Sequence, residues 1–274
     1  MLEALIAVLR HIFHPAPQWF ISPLWLFRSQ SRINRDFVNR ASISLSDFGD
    51  LKRVEINGEI FYWPASSPLN SLLIVAAELS LLHHPHQYLW GPTQLAKGNI
   101  CLDIGACEGG FAARASALGA RVICVEPSKR MAGVMEMLFR ERKLEPPIIA
   151  PVLLGSAQGE HSFRDDILNP GASRSVKEGA YAVEMLKLDQ LVDRLGLERL
   201  DFIKCDAEGA DADILKSGER VLRRFRPRIA VTTYHGDEDY ADLHDYLKRL
   251  SYRVRGKGFL RCGHKLRINM LHAW

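Results

Sequence analysis

Residues 100–126 constrain the fold more than any other part of the chain. They read Ile100-Cys-Leu-Asp-Ile-Gly-Ala-Cys-Glu-Gly-Gly-Phe111, then a helical stretch, then Arg121-Val-Ile-Cys-Val-Glu126. An apolar strand ends near Asp103, the chain turns at Gly105, and a helix opens near Gly110. A second apolar strand then ends in one acid, Glu126. This strand–turn–helix–strand grammar builds a site for a ribose-bearing cofactor. The helix N-terminus approaches the cofactor, and the carboxylate holds ribose hydroxyls.

The alternation continues downstream. Apolar runs predict strands over 100–104, 121–125, 147–154, 201–205 and 228–234. Helical periodicity predicts helices over 110–118, 128–142, 210–224 and 238–250. Such alternation gives an α/β fold with a parallel sheet covered on both faces. Two β-like runs near 251–256 and 266–273 follow each other without a helix, which predicts an antiparallel pair at the sheet edge. Upstream, Asn57-Gly58 between two short apolar runs predicts a hairpin, because both residues tolerate positive φ. Residues 72–82 read as a helix. The following His83-His84-Pro85-His86 has no acidic or cysteine ligand at helical spacing, so a solvated loop is expected there and no metal site.

The first 35 residues differ from the rest. Trp19, Phe20, Trp25 and Phe27 are interleaved with Arg10, Arg28, Arg32 and Arg35, and Pro15, Pro17 and Pro23 interrupt them. Such a segment suits either a peripheral membrane contact or a helical arm packed on the core or a partner. The expected organisation is an N-terminal arm and hairpin region over 1–92, a candidate substrate cap, and a cofactor-binding domain over 93–274.

Composition narrows the partners. A net charge of +4 permits an acidic partner without demanding one. Cys101, Cys107, Cys124, Cys205 and Cys262 form no C-x-x-C pair, which favours a reduced, cytoplasmic chain over a disulfide scaffold or a zinc site. No run is apolar and long enough to span a bilayer, and Glu3 stands where a secretory leader would want positive charge.

The turn itself selects among cofactors. In a G-x-G-x-x-G turn the middle glycine lets backbone approach a pyrophosphate. Gly105 and Gly110 fit the outer positions, but Cys107 occupies the middle one. A side chain there impedes a dinucleotide and matters less for S-adenosylmethionine, which carries no phosphate. A carboxylate at Asp103 would likewise repel a diphosphate and suit the ammonium and sulfonium groups of S-adenosylmethionine.

A second constellation, Asp201-Phe-Ile-Lys-Cys-Asp-Ala-Glu-Gly209, carries Asp206 to a strand end facing the same crevice. Asp206 reads either as a site residue or as a helix N-cap. The next strand ends in Thr233-Tyr-His235. His235 is a candidate proton acceptor because histidine titrates near neutrality, or a loop histidine with a structural hydrogen bond.

These motifs resemble the FkbM family of methyltransferases. Asp103 to Phe111 is similar to that family's cofactor loop, Val125-Glu126-Pro127 to its ribose-binding strand end, and Leu200 to Gly209 with Asp211 and Ile214-Leu215-Lys216 to its most distinctive motif. Leu186-Lys-Leu-Asp-Gln-Leu191 and Thr233-Tyr-His235 match as well. The resemblance covers roughly residues 90–274. It departs at Cys107, commonly Asn in the family, and at Gly110, where a side chain is frequent. It implies a Rossmann-like seven-stranded methyltransferase sheet with helices on both faces, with the C-terminal β-runs supplying its antiparallel seventh strand. It also implies S-adenosylmethionine-dependent O-methylation of sugars, glycans or natural-product hydroxyls.

On that reading Glu126, followed by Pro127, holds the ribose. Gly105, Ala106 and Cys107 lie against the cofactor through backbone, with Glu108 and Gly109 in the same loop. Asp103 supports the methionine end, and Ser156 and Ala157 border the adenine. Asp206 and His235 flank the acceptor, with His235 the better base, and Asp206 alternatively contacts the cofactor. Two other functions stay open. The arginines at 223, 224, 226 and 228 and the basic run over 248–267 would suit an RNA methyltransferase, although a solvated face is favoured over nucleic acid. A non-catalytic S-adenosylmethionine-binding protein is the other. The acceptor's identity and the oligomeric state are not readable from these residues.

Overall fold

The computed structural model describes residues 30–166, 174–175, 179–236, 239–262 and 265–274. The aromatic and basic arm therefore lies almost wholly outside the described residues. The chain enters through helix α1 (Gln30–Val38) and an antiparallel meander of β1 (Ile43–Phe48), β2 (Leu51–Ile56) and β3 (Glu59–Pro64). The turn between β2 and β3 is the expected Asn57-Gly58 pair, with φ of 52° and 84°. Positive φ at both positions matches the twist of the two strands. Helix α2 (Asn70–Ser80) follows, in place of the helix expected over 72–82.

The main sheet is built from β4 (Ile100–Ile104), β5 (Arg121–Val125) and β6 (Ile148–Ala150). After an excursion through β7 (Leu153–Leu154), β8 (Gly159–Arg164), β9 (Arg174–Ser175) and β10 (Tyr181–Leu186), it resumes with β11 (Phe202–Cys205), β12 (Arg228–Thr232), β13 (Val254–Cys262) and β14 (Lys265–Ala273). Its order is β13-β14-β12-β11-β4-β5-β6. The five strands from β12 to β6 are parallel, and β14 and β13 are antiparallel. This is the Rossmann-like seven-stranded methyltransferase sheet with its antiparallel edge.

Helices cover both faces, and the pleat explains why. Cys101, Phe202 and Ala230 point into one apolar cluster with α2, α3 (Gly110–Ala117) and α4 (Lys129–Glu141). Leu102, Ile203 and Ile229 point into the other, with α5 (Leu188–Arg194), α6 (Asp211–Lys216), α7 (Glu219–Phe225) and α8 (Asp239–Arg249). The meander belongs to the first cluster. Phe61 and Trp63 are buried there with Phe111 of α3. Fully burying such a ring stabilises by roughly 2–3 kcal/mol.

Two elements differ from expectation. The single strand expected over 147–154 is split into β6 and β7, because β7 leaves the main sheet to pair with β10. The single helix expected over 210–224 is split into α6 and α7. Gly218 packs so tightly on Leu188 that a Cβ would collide with it, and Ser217 Oγ accepts from Leu188 N at 3.0 Å. Among the described residues no helix is long and apolar enough to cross a membrane.

Candidate functional site

Strand order reverses between β4 and β11: the chain runs outward through β5 and β6, then returns to β11 on the other side. Crevices at such switch points, beyond the carboxyl ends of the strands, are where α/β sheets bind ligands. The two loops that leave these strands touch. Asp206 N donates to Ile104 O at 3.1 Å, and a Cβ on Gly105 would run into the Asp206 carbonyl oxygen. Gly105 also has φ +70°, a left-handed conformation that glycine adopts without strain. Cys107 is left-handed too, at φ 47°.

Glu126 closes the loop from the neighbouring strand end. Its carboxylate accepts from Cys107 N and from Ser128 N, both at 2.8 Å. Burial pushes its pKa up to about 7, against the lowering effect of these two N–H donors. Ser128 caps α4, its hydroxyl accepting from Met131 N at 3.2 Å.

Two cavities meet at this loop. The larger, about 360 Å³, is walled by Glu126, Pro127, Val152, Leu154, Phe163 and Ile214. The smaller, about 240 Å³, lies under the meander and α2 and is lined by Trp63, Glu78, Tyr88, Phe111, Lys204 and Tyr234. Gly105, Cys107, Asp206 and Glu208 border both.

Asp103 does not line either cavity. It is wholly buried, and the register that places it opposite Lys204 brings the two together as an ion pair at 3.0 Å. Burial raises the Asp103 pKa, and Lys204 opposes the rise. Lys204 also donates to Gly105 O at 2.5 Å and to Ile104 O at 3.2 Å, so it pins the glycine turn from beneath. Asp103, expected to support the methionine end directly or through water, reaches the crevice through Lys204, which lines the smaller cavity.

Asp206 stands at the junction. Tyr88 donates to its Oδ2 at 2.7 Å and Thr232 to its Oδ1 at 3.1 Å. His86 Nε2 lies 3.6 Å from Oδ2. His86, Lys204 and His235 outweigh burial and hold the Asp206 carboxyl below its usual pKa. The alternative reading of Asp206 as a helix cap is corrected by its neighbour. Asp211 accepts from Ala207 N at 2.9 Å and from Gly209 N at 3.2 Å, so Asp211 ties down this turn.

His235 is surrounded by acids. Its Nδ1 lies 3.3 Å from Asp211 Oδ2, and its Nε2 lies 3.6 Å from Glu208 Oε2 and 4.0 Å from Asp206 Oδ1. Burial works against the charged ring, but these carboxylates raise its pKa to about 9. At neutral pH these carboxylates favour the protonated ring over the proton-accepting form expected from the sequence. The solvated loop expected at residues 83–86 is corrected as well. His84 is 0% and His86 3% exposed. His84 Nε2 pairs with Asn34 Oδ1 at 2.8 Å, and His86 Nδ1 with Glu78 Oε1 at 2.7 Å.

Of the other expected residues, Ala106 and Glu108 line the smaller cavity and Gly109 forms the left-handed cap of α3. Ser156 and Ala157 are exposed and absent from the walls of both cavities; Ser156 bonds Asp213 at 3.4 Å instead. Val152 and Leu154, a few residues upstream, line the larger cavity. Glu78, His86, Tyr88 and Lys204 are missing from the sequence-based set. Lys204 is legible in hindsight as a cation two residues before Asp206, in register with Asp103.

The donor set fits S-adenosylmethionine. Lys204 is the only cation among the described residues of the two linings, which also carry Glu78, Glu108, Glu126, Asp206, Glu208 and Asp213. A diphosphate would meet these acids, whereas an ammonium and a sulfonium are attracted by them. The apolar wall of Val152, Leu154 and Phe163 suits a flat base. Fold and site together define a Rossmann-like, S-adenosylmethionine-dependent methyltransferase.

The chain belongs to the FkbM methyltransferase family: the model of the Methyltransferase FkbM domain matches residues 103–254. It is 28% identical over 193 residues to the 2-O-methyltransferase NoeI of Sinorhizobium fredii (strain NBRC 101917 / NGR234), covering 63% of this chain and 73% of that protein. Among solved structures it resembles the methyltransferase FkbM from Methylobacillus flagellatus KT, with a TM-score of 0.51 and 16% identity over 75% of this chain. The match takes in 53% of that structure, so the chain spans about half its length, and the likeness is one of fold.

Proposed function

We propose that this methyltransferase O-methylates a neutral hydroxyl on a sugar, glycan or natural product. The observation that carries the reading is Asp206 at the junction of the two cavities, its carboxylate held by Tyr88 and Thr232. The larger cavity would take the adenosine, with Glu126 on the ribose and Val152 and Leu154 against the base. The smaller would take the acceptor. Rings from Trp63, Tyr88, Phe111 and Tyr234 beside carboxylates offer both the flat apolar faces and the acceptor oxygens that a polyhydroxylated ring needs. The 2-O-methyltransferase activity named for NoeI supports the same bond type. Four acids around one lysine work against a phosphate-rich acceptor, so RNA is the weaker reading. Residues between Trp63 and Tyr88 supply one wall of this cavity, which supports an N-terminal unit acting as acceptor cap.

When bound, S-adenosylmethionine supplies a methyl group on a sulfonium that leaves as a neutral thioether. The protein's part is alignment and proton management. Lys204 and Asp206 fix the floor beneath the turn at Gly105. As the acceptor oxygen bonds to carbon its O–H becomes strongly acidic, so a weak but ionised base suffices. Asp206 fills that role, kept ionised by its cationic neighbours. His235, protonated when free, would hold Asp206 in place rather than receive the proton.

The test is methyl transfer from labelled S-adenosylmethionine to a panel of neutral sugars and glycans, with RNA alongside. The expected outcome is an ether-linked methyl on a sugar hydroxyl and a turnover about 10²-fold lower in Asp206→Asn. Transfer to RNA, or undiminished turnover in the variant, would overturn the reading.

A further inference from the structure

We propose that Asp206, Glu208 and His235 form a binding site for a divalent, oxygen-preferring cation at the junction of the two cavities. One ligand atom from each lies within 4.8 Å of the others. His235 Nε2 faces both carboxylates, at 3.6 Å from Glu208 and 4.0 Å from Asp206. Its other nitrogen is turned to Asp211, 3.3 Å away. A carboxylate behind a histidine is the outer-shell arrangement that fixes the ring of a metal ligand. Asp211 is itself immobilised by Ala207 N and Gly209 N, which donate to its two carboxylate oxygens. The two carboxylates are thus pre-positioned on a braced turn, and Asp211 holds the ring of His235 toward them.

An independent feature points to the same place. His86 is 3% exposed, its Nε2 makes no hydrogen bond, and that atom is aimed at Asp206 Oδ2 from 3.6 Å. With Nδ1 held by Glu78, Nε2 is the buried ring nitrogen left facing Asp206 at the cluster's inner side. Two carboxylates that open onto both cavities and one imidazole suit Mn²⁺, which takes oxygen ligands and accepts a nitrogen donor. Binding would replace the His235 Nε2 proton, which passes to solvent. The cation's role rests on the smaller cavity being the acceptor site. There it would draw two neighbouring hydroxyls of a sugar onto one centre and acidify the coordinated hydroxyl, whose proton would pass to the Asp206 carboxylate oxygen that does not bind the cation. Cation binding itself does not depend on that role.

The experiment is a Mn²⁺ titration of the chelator-stripped full chain followed by electron paramagnetic resonance, with calorimetric titration of S-adenosylhomocysteine in parallel. One bound Mn²⁺ is expected, with nitrogen modulation from an imidazole ligand. Glu208→Gln and His235→Ala should each weaken Mn²⁺ binding at least about 10-fold. A thermal unfolding midpoint and near-ultraviolet circular dichroism like those of the wild type show that Glu208→Gln is folded. An undiminished free Mn²⁺ signal at millimolar metal, bound Mn²⁺ without nitrogen modulation, or unchanged affinity in Glu208→Gln would overturn the site. Failure of S-adenosylhomocysteine to bind the wild type would instead strike the cofactor assignment and leave the metal result to be read on its own.

Discussion

Replacing Glu126 by glutamine keeps the shape of the side chain and removes its charge, which separates two consequences of one buried carboxylate. The first concerns the cofactor. A carboxylate that accepts from ribose hydroxyls contributes about 1.5–3 kcal/mol more than an unbonded group, because hydrogen bonds to charged groups lie in that range. The amide oxygen of glutamine still accepts, at about 1–1.5 kcal/mol less than the carboxylate, so Glu126→Gln should weaken S-adenosylhomocysteine binding about 5- to 12-fold, read by calorimetry. The second concerns stability. Glu126 is 6% exposed, and its pKa rises from 4.5 to about 7 on folding. Between those pH values the folded chain holds a proton that the unfolded chain has released. The native state binds more protons, so stability falls as pH rises through this window. A rise of this size corresponds to about 3 kcal/mol. The glutamine variant lacks this dependence. It leaves one of the Cys107 and Ser128 N–H groups without a carboxylate oxygen, at a cost of about 1–3 kcal/mol. The wild type should therefore be the more stable protein near about pH 5, and its advantage should shrink by about 3 kcal/mol, or reverse, near about pH 8. Urea unfolding at both pH values measures the gap. A gap that does not change with pH would refute the buried-carboxylate argument, and unchanged S-adenosylhomocysteine affinity would refute the ribose contact.

Other perturbations bear on the floor of the site. Gly105→Ala forces a left-handed alanine into the Asp206 carbonyl. The combined strain and overpacking should destabilise by about 2–5 kcal/mol and abolish S-adenosylhomocysteine binding. Gly133→Ala, in α4 with open space at its Cβ, should instead stabilise by about 0.5–1 kcal/mol. Equal effects in thermal unfolding would contradict the close-approach account. Lys204→Met strands Asp103 in the interior and should cost about 3–5 kcal/mol. The double variant with Asp103→Asn should recover part of that loss. A single variant within about 1 kcal/mol of wild type would show that Asp103 is neutral in the folded chain.

How much of this was legible in the sequence varies with the range of the interaction. The strands at 100–104 and 121–125 are found where their apolar runs place them, because a fully buried strand bounded by turn residues leaves a local signature. The Asn57-Gly58 hairpin is legible for the same reason. The break between α6 and α7 is not, since helical periodicity runs through it and only the packing of Gly218 on Leu188 interrupts it. The cofactor loop and Asp206 are marked by glycine spacing and strand ends. The acid surroundings of His235 depend on three residues from a different loop, so periodicity cannot show that the free ring carries a proton. The contacts of Glu78, His86 and Tyr88 with this crevice span 118 residues in sequence in the case of Tyr88 and Asp206. Nothing within the His83-His84-Pro85-His86 segment signals that α2 and the edge of the sheet will bury two of its rings.

The most direct test of the central claim is a calorimetric titration of the purified full chain with S-adenosylmethionine, S-adenosylhomocysteine and NAD. The crevice between β4 and β11, with Glu126 at one wall and a single lysine among its acids, should bind the first two at one site and NAD not at all. Binding of NAD in the absence of S-adenosylmethionine binding would contradict the account.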